Sequence, residues 1–326
     1  MSNVRIGIDL GGTKIEGVAI DASGTPLWRE RVATPKNDYA GTINAIGELV
    51  ERAELVLGVR ASIGMGTPGS VSPATGLHRN ANSTVLNRQP FVSDVSARLA
   101  REVRSSNDAN CFALSEAVTG AARGARVVFG VILGTGVGGG VVIDGRALDG
   151  HNGIAGEWGH SPMPGSYRDG RDARAGRAES PARPCFCGLV GCREQFLSGP
   201  AVERDHAERT GQRLVLADIA RKSAAGDSAC AATIERLIDG LALSLADVVN
   251  LLDPDAIVLG GGVSNIEALY AVLPGRVAQR AFTDSFTTPI CRAAHGDSSG
   301  VFGAAMLWPS TSGAQSGPQL DPHPEE

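Results

Sequence analysis

The chain lacks several features that would place it in a common class at once. It carries 30 basic and 35 acidic side chains, a formal net charge of −5, and this balance does not indicate a nucleic-acid or membrane-surface partner. No apolar stretch approaches the length of a transmembrane helix. The amino terminus has neither the basic start nor the apolar run of a secretory signal peptide. We therefore expect a cytoplasmic protein.

Cysteines are also few, and half of the six are clustered. Cys185, Cys187 and Cys192 stand close together, whereas the others are scattered and indicate a reducing compartment. With His160 upstream, the cluster offers three thiolates and one imidazole, a full tetrahedral set for zinc. Four protein ligands leave no open position for water, so the predicted zinc is structural. The alternative is a group of unrelated or disulfide-forming cysteines, although Cys185 and Cys187 are too close for an easy disulfide.

The chain has no P-loop spacing and no glycine motif of the type that joins a strand to a helix. Instead, strand-like residues 4–9 and 15–20 flank one glycine turn, and residues 127–133 precede a second. Superposing the two turns gives a faint internal repeat, which suggests two related α/β lobes facing each other. Such turns are candidates for phosphate binding or are simply hairpins. The candidate residues are Gly11, Gly12, Thr13 and Lys14 in the first turn, Gly134, Thr135, Gly136, Gly138 and Gly139 in the second, and Gly260, Gly261 and Gly262 after a third strand.

Several carboxylates follow predicted strands or adjoin the cysteine cluster. Asp9 either holds a Mg²⁺-bound water or serves as a turn residue. Asp108 stands between a strand and a helix, where it is either an N-cap or a general base for phosphoryl transfer. Local sequence alone favours the cap. Glu157 and Glu194 flank the predicted zinc ligands, and they either support those ligands or accept hydrogen bonds from sugar hydroxyls.

The order of these motifs resembles that of the ROK family of sugar kinases. The resemblance covers about residues 4–308 and rests on residues 9–14, 107–110, 133–136, 156–160 and 185–194. It implies an α/β protein with the actin-like (ribonuclease H-like) ATPase fold, two lobes with a cleft between them, and ATP with Mg²⁺ as its cofactors. Asp108 would then be the base. The residues that the resemblance places around the sugar are Gly69, Asn82, Asn107, Asp108, Glu157, His160 and Glu194.

The resemblance also implies a division of the chain. We expect a small first lobe over residues 1–120, a larger lobe with the zinc site over 121–298, and a helix near 299–308 that packs on the first lobe. Residues 164–184 are predicted to form a mobile loop. Residues 309–326 are rich in proline, serine and glycine and are predicted to be a disordered tail.

Within the family, the chain most resembles bacterial fructokinases of the mannofructokinase type. Residues 80–87, 156–160 and 295–300 carry this likeness, which implies phosphorylation of D-fructose to D-fructose 6-phosphate. Bacterial N-acetylglucosamine kinases are similar around residues 107–116 and 133–140, so an N-acetylglucosamine kinase is an alternative, as is a glucokinase or mannokinase. A sugar-sensing repressor is disfavoured, because the first strand begins at Val4 and leaves no room for a DNA-binding domain. Dimers are common in the family, which is compatible with a homodimer here.

Overall fold

A computed structural model describes residues 3–164 and 183–309 of the chain. The predictions of a mobile loop over 164–184 and a disordered tail over 309–326 lie almost entirely outside these residues. Within the described part, no helix is both long and apolar enough to cross a membrane.

The first lobe is built on a five-stranded sheet in the order β3-β2-β1-β4-β7. Strand β1 pairs antiparallel with β2, which places Asp9 opposite Glu16, and it pairs parallel with β4 on its other side. A small two-stranded sheet, β5-β6, follows β4. The elements of this lobe are β1 Arg5–Leu10, β2 Lys14–Ile20, β3 Pro26–Ala33, α1 Tyr39–Leu57, β4 Ser62–Thr67, β5 Ser70–Val71, β6 His78–Arg79, α2 Phe91–Leu99 and β7 Val103–Asn107.

The second lobe repeats this design in a five-stranded sheet of order β10-β9-β8-β11-β12. Strand β8 again pairs antiparallel with the strand that follows its turn and parallel with β11. The faint repeat in the sequence is therefore a real duplication of topology, as the two-lobed α/β expectation requires. The remaining elements are α3 Asp108–Val118, β8 Val127–Leu133, β9 Val137–Ile143, β10 Arg146–Ala147, α4 Glu194–Leu197, α5 Gly199–Thr210, α6 Leu216–Ala224, α7 Ser228–Leu252, β11 Ala256–Gly260, α8 Glu267–Ala278, β12 Ile290–Arg292 and α9 Ser299–Met306.

Local signals explain where the helices begin and end. The side chain of Asp38 accepts a hydrogen bond from the backbone N–H of Gly41 at the start of α1, as an N-cap residue does. Gly58 ends the same helix with φ 65°, the left-handed conformation that glycine adopts without strain. Strand β3 was not expected from the sequence. Its burial alternates between exposed and half-buried positions, so it lacks the apolar signal of a buried strand.

Helices α3 and α9 connect the two lobes. One apolar cluster joins Phe112 of α3 and Val301 of α9 to strands of both sheets, among them Val18 and Val128. The two helices touch at backbone level, because a Cβ added to Gly303 would lie 1.6 Å from a backbone oxygen of α3. The cleft between the lobes therefore opens beside a rigid helix pair, and Asp108 begins one of these helices.

Candidate active site

The two glycine turns occupy the same place in their sheets, although the first is one residue longer than the second. The backbone N–H of Gly11 donates to the carbonyl of Lys14 at 3.0 Å, and that of Gly134 donates to the carbonyl of Gly136 at 3.0 Å. Each turn joins the first two strands of its own sheet. The duplication of the fold thus places one glycine turn at the corresponding position of each lobe.

Each of these two turns, and a third turn that follows β11, offers a glycine that protein packing does not require. A Cβ added to Gly134 or Gly262 would meet nothing within 4 Å, and one at Gly12 would meet only the hydroxyl of Ser83, at 3.8 Å. At all three positions the missing side chain leaves backbone N–H groups open to approach. Exposed N–H groups in a turn suit an anion such as a triphosphate. The residues present therefore fit a nucleotide.

Packing explains the two glycines that precede Gly262. A Cβ on Gly260 would lie 2.5 Å from Cε2 of Phe112. Gly261 has φ 82°, and a Cβ there would lie 2.4 Å from the carbonyl oxygen of Leu133. Of these three candidates, Gly262 alone faces open space.

The second turn is shorter than the sequence predicts. Gly138 and Gly139 lie within β9 and not in the turn, so their predicted contact with the nucleotide would come from the strand. A Cβ on Gly138 would lie 3.3 Å from the Cβ of Ala109, and one on Gly139 would lie 2.6 Å from the Trp158 ring. Close packing of this strand is the reason for both glycines.

Asp108 is the first residue of α3, and its neighbour caps the helix. The side chain of Asn107 accepts a hydrogen bond from the N–H of Ala109 at 2.8 Å, and Oδ1 of Asp108 accepts from the same group, also at 2.8 Å. The capping role that local sequence favours for Asp108 therefore belongs to Asn107. The carboxylate of Asp108 is open to water in the cleft, yet protein surrounds it closely enough that burial raises its pKa to about 6. The negative charge of Asp9 raises this pKa further.

Asp9 lies in β1 beside the first turn. Burial raises the pKa of its carboxyl to about 6; Glu16 adds to this effect, and Lys14 opposes it. Helix α9 approaches it so closely that a Cβ on Gly300 would lie 3.4 Å from the carboxyl atoms. A carboxylate in this position, between the first turn and Asp108, is the hard oxygen ligand that Mg²⁺ prefers.

Three of the expected sugar contacts are neighbours, namely Gly69, Asn107 and Glu157. The amide nitrogen of Asn107 donates to the carbonyl of Gly69 at 3.1 Å. Gly69 has φ 75°, and a Cβ there would lie 2.2 Å from the carbonyl oxygen of Arg79, so only glycine fits. Asn107 and Glu157 line one cavity of about 200 Å³. Burial raises the pKa of Glu157.

Asn82 does not join this group. Its side chain is exposed and accepts a hydrogen bond from the N–H of Ser83 at 2.8 Å. It lines a separate cavity of about 400 Å³ together with Gly12 of the first turn. The structure therefore places Asn82 beside the candidate phosphate turn, apart from Asn107 and Glu157.

The four predicted zinc ligands come together. Their ligand atoms all lie within 4.8 Å of one another. The sulfur of Cys185 lies 3.5 Å from Nδ1 of His160, and the sulfurs of Cys187 and Cys192 lie 3.6 Å apart. Zinc–sulfur and zinc–nitrogen bonds of about 2.3 and 2.0 Å in a tetrahedron give edges of about 3.5 to 3.8 Å. The donor set therefore fits zinc, with Nδ1 as the imidazole ligand.

Glu194 links this cluster to the second glycine turn. Its Oε2 accepts a hydrogen bond from the N–H of Val137 at 3.2 Å, and its Oε1 lies 3.9 Å from the sulfur of Cys185. A Cβ on Gly136 would lie 2.7 Å from Oε2, which explains the glycine at that position. One carboxylate thus contacts both the predicted zinc ligands and the turn.

Sequence reasoning missed several polar residues near the cleft. Fully buried Glu116 accepts hydrogen bonds from the N–H groups of Ala121 and His295 and from the hydroxyl of Ser299, so it fixes the start of α9. Asp149 accepts a hydrogen bond from Ser106 across the cleft. Neither residue belongs to a recognisable motif. Apart from Ala121, their partners are distant in sequence, so the chain itself carries little signal for them.

Two duplicated α/β lobes, each with a glycine turn between its first two strands, define the protein as one with the actin-like ATPase fold. The chain belongs to the ROK family, which it matches over residues 5–311. It is 41% identical over 303 residues to an N-acetyl-D-glucosamine kinase of Pectobacterium atrosepticum, a match that covers 92% of this chain and 97% of the relative.

Solved structures agree with this assignment. The chain resembles a ROK hexokinase from Thermus thermophilus with a TM-score of 0.80 and 33% identity, covering 93% of this chain and 97% of that one. It also resembles a ROK family glucokinase from Streptomyces griseus, solved with glucose and AMPPNP, with a TM-score of 0.72 and 28% identity, covering 93% and 98%. The predicted family of ROK sugar kinases is confirmed. The finer likeness to fructokinases is not supported, because the curated relative is an N-acetylglucosamine kinase.

Proposed function

We propose that the chain is an ATP-dependent N-acetylglucosamine kinase that transfers a phosphoryl group to the primary 6-hydroxyl of the sugar. The observation that carries the proposal is the position of Asp108, whose carboxylate feels the charge of Asp9 beside the first glycine turn and of Glu157 in the cavity that Asn107 also lines. The choice of an amino sugar over fructose follows the alternative raised by the sequence and is supported by the similarity to N-acetylglucosamine kinases.

Asp108 serves as the general base. Its carboxylate accepts the proton of the 6-hydroxyl while that oxygen forms a bond to the γ-phosphorus of ATP. The bond from the γ-phosphorus to the bridging oxygen breaks, ADP leaves, and Asp108 later releases the proton to water. A pKa of about 6 suits this task, since the group is ionised near neutral pH and still basic enough to take a proton.

The glycine turns hold the triphosphate. Open backbone at Gly12 and Gly134 lets N–H groups reach the phosphate oxygens from both lobes, and the exposed side chain of Lys14 adds a positive charge. Asp9 would hold Mg²⁺, which neutralises charge on the phosphates when bound. Gly262 borders the position proposed for the nucleoside.

The zinc cluster acts through the residues that it fixes. With Nδ1 of His160 directed at the thiols, Nε2 of the ring remains to face the sugar. Glu157 and Glu194 offer acceptors to sugar hydroxyls. Two carboxylates repel an anion, so the site suits a neutral sugar and rejects sugar phosphates and uronic acids.

The test is a coupled assay of ADP release with ATP and Mg²⁺ across N-acetylglucosamine, N-acetylmannosamine, glucose, mannose and fructose. We expect the highest kcat/KM with N-acetylglucosamine and no activity on glucose 6-phosphate or glucuronic acid. A higher kcat/KM with fructose would refute the amino-sugar assignment and leave a sugar kinase. If no sugar stimulated ADP release, the proposal of a sugar kinase would itself be refuted.

A further inference from the structure

The cavity of about 200 Å³ beside the expected sugar contacts lies between the two lobes. Because Asn107 and Glu157 line it, a sugar held by these residues would direct one of its ring substituents into this space. Ser70, Val71 and Pro73 of the first lobe form one wall, and Gly153, Ile154 and Ala155 of the second lobe also contribute.

One end of the cavity carries a fixed acceptor. Oδ1 of Asp149 accepts a hydrogen bond from the hydroxyl of Ser106 at 2.7 Å and another from the amide of Asn110 at 3.2 Å. Ser106 and Asn110 are both buried, so the carboxylate is held from the protein side. Its other oxygen, Oδ2, makes no hydrogen bond within residues 3–164 and 183–309. It is free to accept one from a ligand.

The wall of the first lobe carries a free donor. The hydroxyl oxygen of Ser70 accepts a hydrogen bond from Nε of Arg79 at 3.3 Å. Its hydrogen is not used by any partner in the described part of the chain. Arg79 also donates to the carbonyl of Asn152, so one side chain binds Ser70 of the first lobe and the loop of the second lobe beside the cavity.

Apolar groups complete the lining. Val71, Pro73 and Ala155 face the cavity with Ile154, whose side chain is 47% exposed. An exposed isoleucine at a cavity gains stability when another apolar group covers it. The walls also approach closely, because a Cβ on Gly153 would lie 3.2 Å from the carbonyl oxygen of Val71. The space therefore suits a small, flat group.

We infer that this cavity is the subsite for the 2-acetamido substituent of the sugar, an inference that rests on the proposed kinase function. The amide N–H donates to Asp149, the acetyl carbonyl accepts from Ser70, and the methyl group packs against Ile154. A hydroxyl on the same ring carbon could use the acceptor only, and it would leave the hydroxyl of Ser70 and the apolar wall without a partner. The cavity thus selects N-acetylhexosamines over plain hexoses.

The test compares kcat/KM for N-acetylglucosamine and for glucose in Ser70→Ala and Ile154→Ala. Each change removes a contact that only the acetyl group makes, so each should lower kcat/KM for N-acetylglucosamine at least about tenfold. The value for glucose should change less than about twofold, since glucose makes neither contact. His151→Ala is the matched control. It alters an exposed residue of the same loop that does not line the cavity, and it should affect neither sugar.

An equal fall for both sugars would show that Ser70 and Ile154 are merely structural, and unchanged values for both sugars would show that the acetyl group lies elsewhere. Either result overturns the inference. If the wild-type chain phosphorylates no amino sugar, the proposed function fails separately. Calorimetric titration then decides the subsite: tighter binding of N-acetylglucosamine than of glucose, lost in Ser70→Ala, supports it, and equal binding refutes it.

Discussion

Replacement of Asp108 by asparagine separates the two roles that the sequence leaves open for this residue. The amide keeps the shape of the carboxylate but cannot accept the proton of the sugar hydroxyl. Asn107 already caps α3 by accepting from the N–H of Ala109 at 2.8 Å, so the helix keeps its cap in the variant. The substitution therefore tests chemistry with little disturbance of the fold.

The expected magnitudes differ by enough to be decisive. Loss of a carboxylate in the first turn of a helix costs about 0.3 to 1 kcal/mol. Removal of the repulsion from Asp9 and Glu157 offsets part of that cost. We expect the free energy of unfolding to change by less than about 1 kcal/mol. Loss of a general base lowers kcat by about 10² to 10⁴, which is about 3 to 5 kcal/mol of activation free energy.

Steady-state kinetics with ATP, Mg²⁺ and N-acetylglucosamine measure the effect, and urea denaturation measures stability. KM for the sugar should stay within about threefold, because the neighbouring contacts are intact. Asp218→Asn is the control, since it makes the same change in the first turn of α6, where the carboxylate pairs with exposed Arg221. A kcat for Asp108→Asn within tenfold of wild type would refute the catalytic role.

Three further predictions concern the pH profile, the predicted zinc site and the packing of α3 against α9. Because Asp108 must be ionised to accept a proton and its pKa is raised to about 6, kcat/KM should fall about tenfold per pH unit below that pH; a flat profile down to pH 5 would contradict the assignment. Metal analysis should find about one zinc ion per chain, and Cys187→Ser should lose zinc and thermal stability; active, unchelated protein without zinc would refute the site. Gly303→Ala should destabilise the fold by about 3 kcal/mol, because its Cβ would lie 1.6 Å from a backbone oxygen of α3. The control is Gly275→Ala in α8, whose Cβ would meet nothing within 4 Å and which should stabilise the fold by about 0.5 kcal/mol. Similar urea midpoints for the two variants would contradict the packing argument.

Much of the architecture is encoded locally. Alternating apolar residues around Gly12 and Gly134 predict two hairpins, and both are present. The spacing of Cys185, Cys187 and Cys192 predicts a thiol cluster, because ligands separated by a few residues meet whatever the rest of the chain does. Signals of this kind survive without tertiary context, since each depends on neighbours in sequence.

The tertiary structure decided what depends on residues far apart in sequence. The sequence could not separate a cap from a base at Asp108; the structure gives the cap to Asn107 and places Asp9 near the remaining carboxylate. It also places Gly138 in β9, where it packs against Ala109. Finally, it creates the acetamido cavity, because Ser70 and Asp149 lie 79 positions apart and meet only where the lobes close on each other. A pocket formed by two lobes has no local pattern, since its shape depends on how the two sheets are held across α3 and α9.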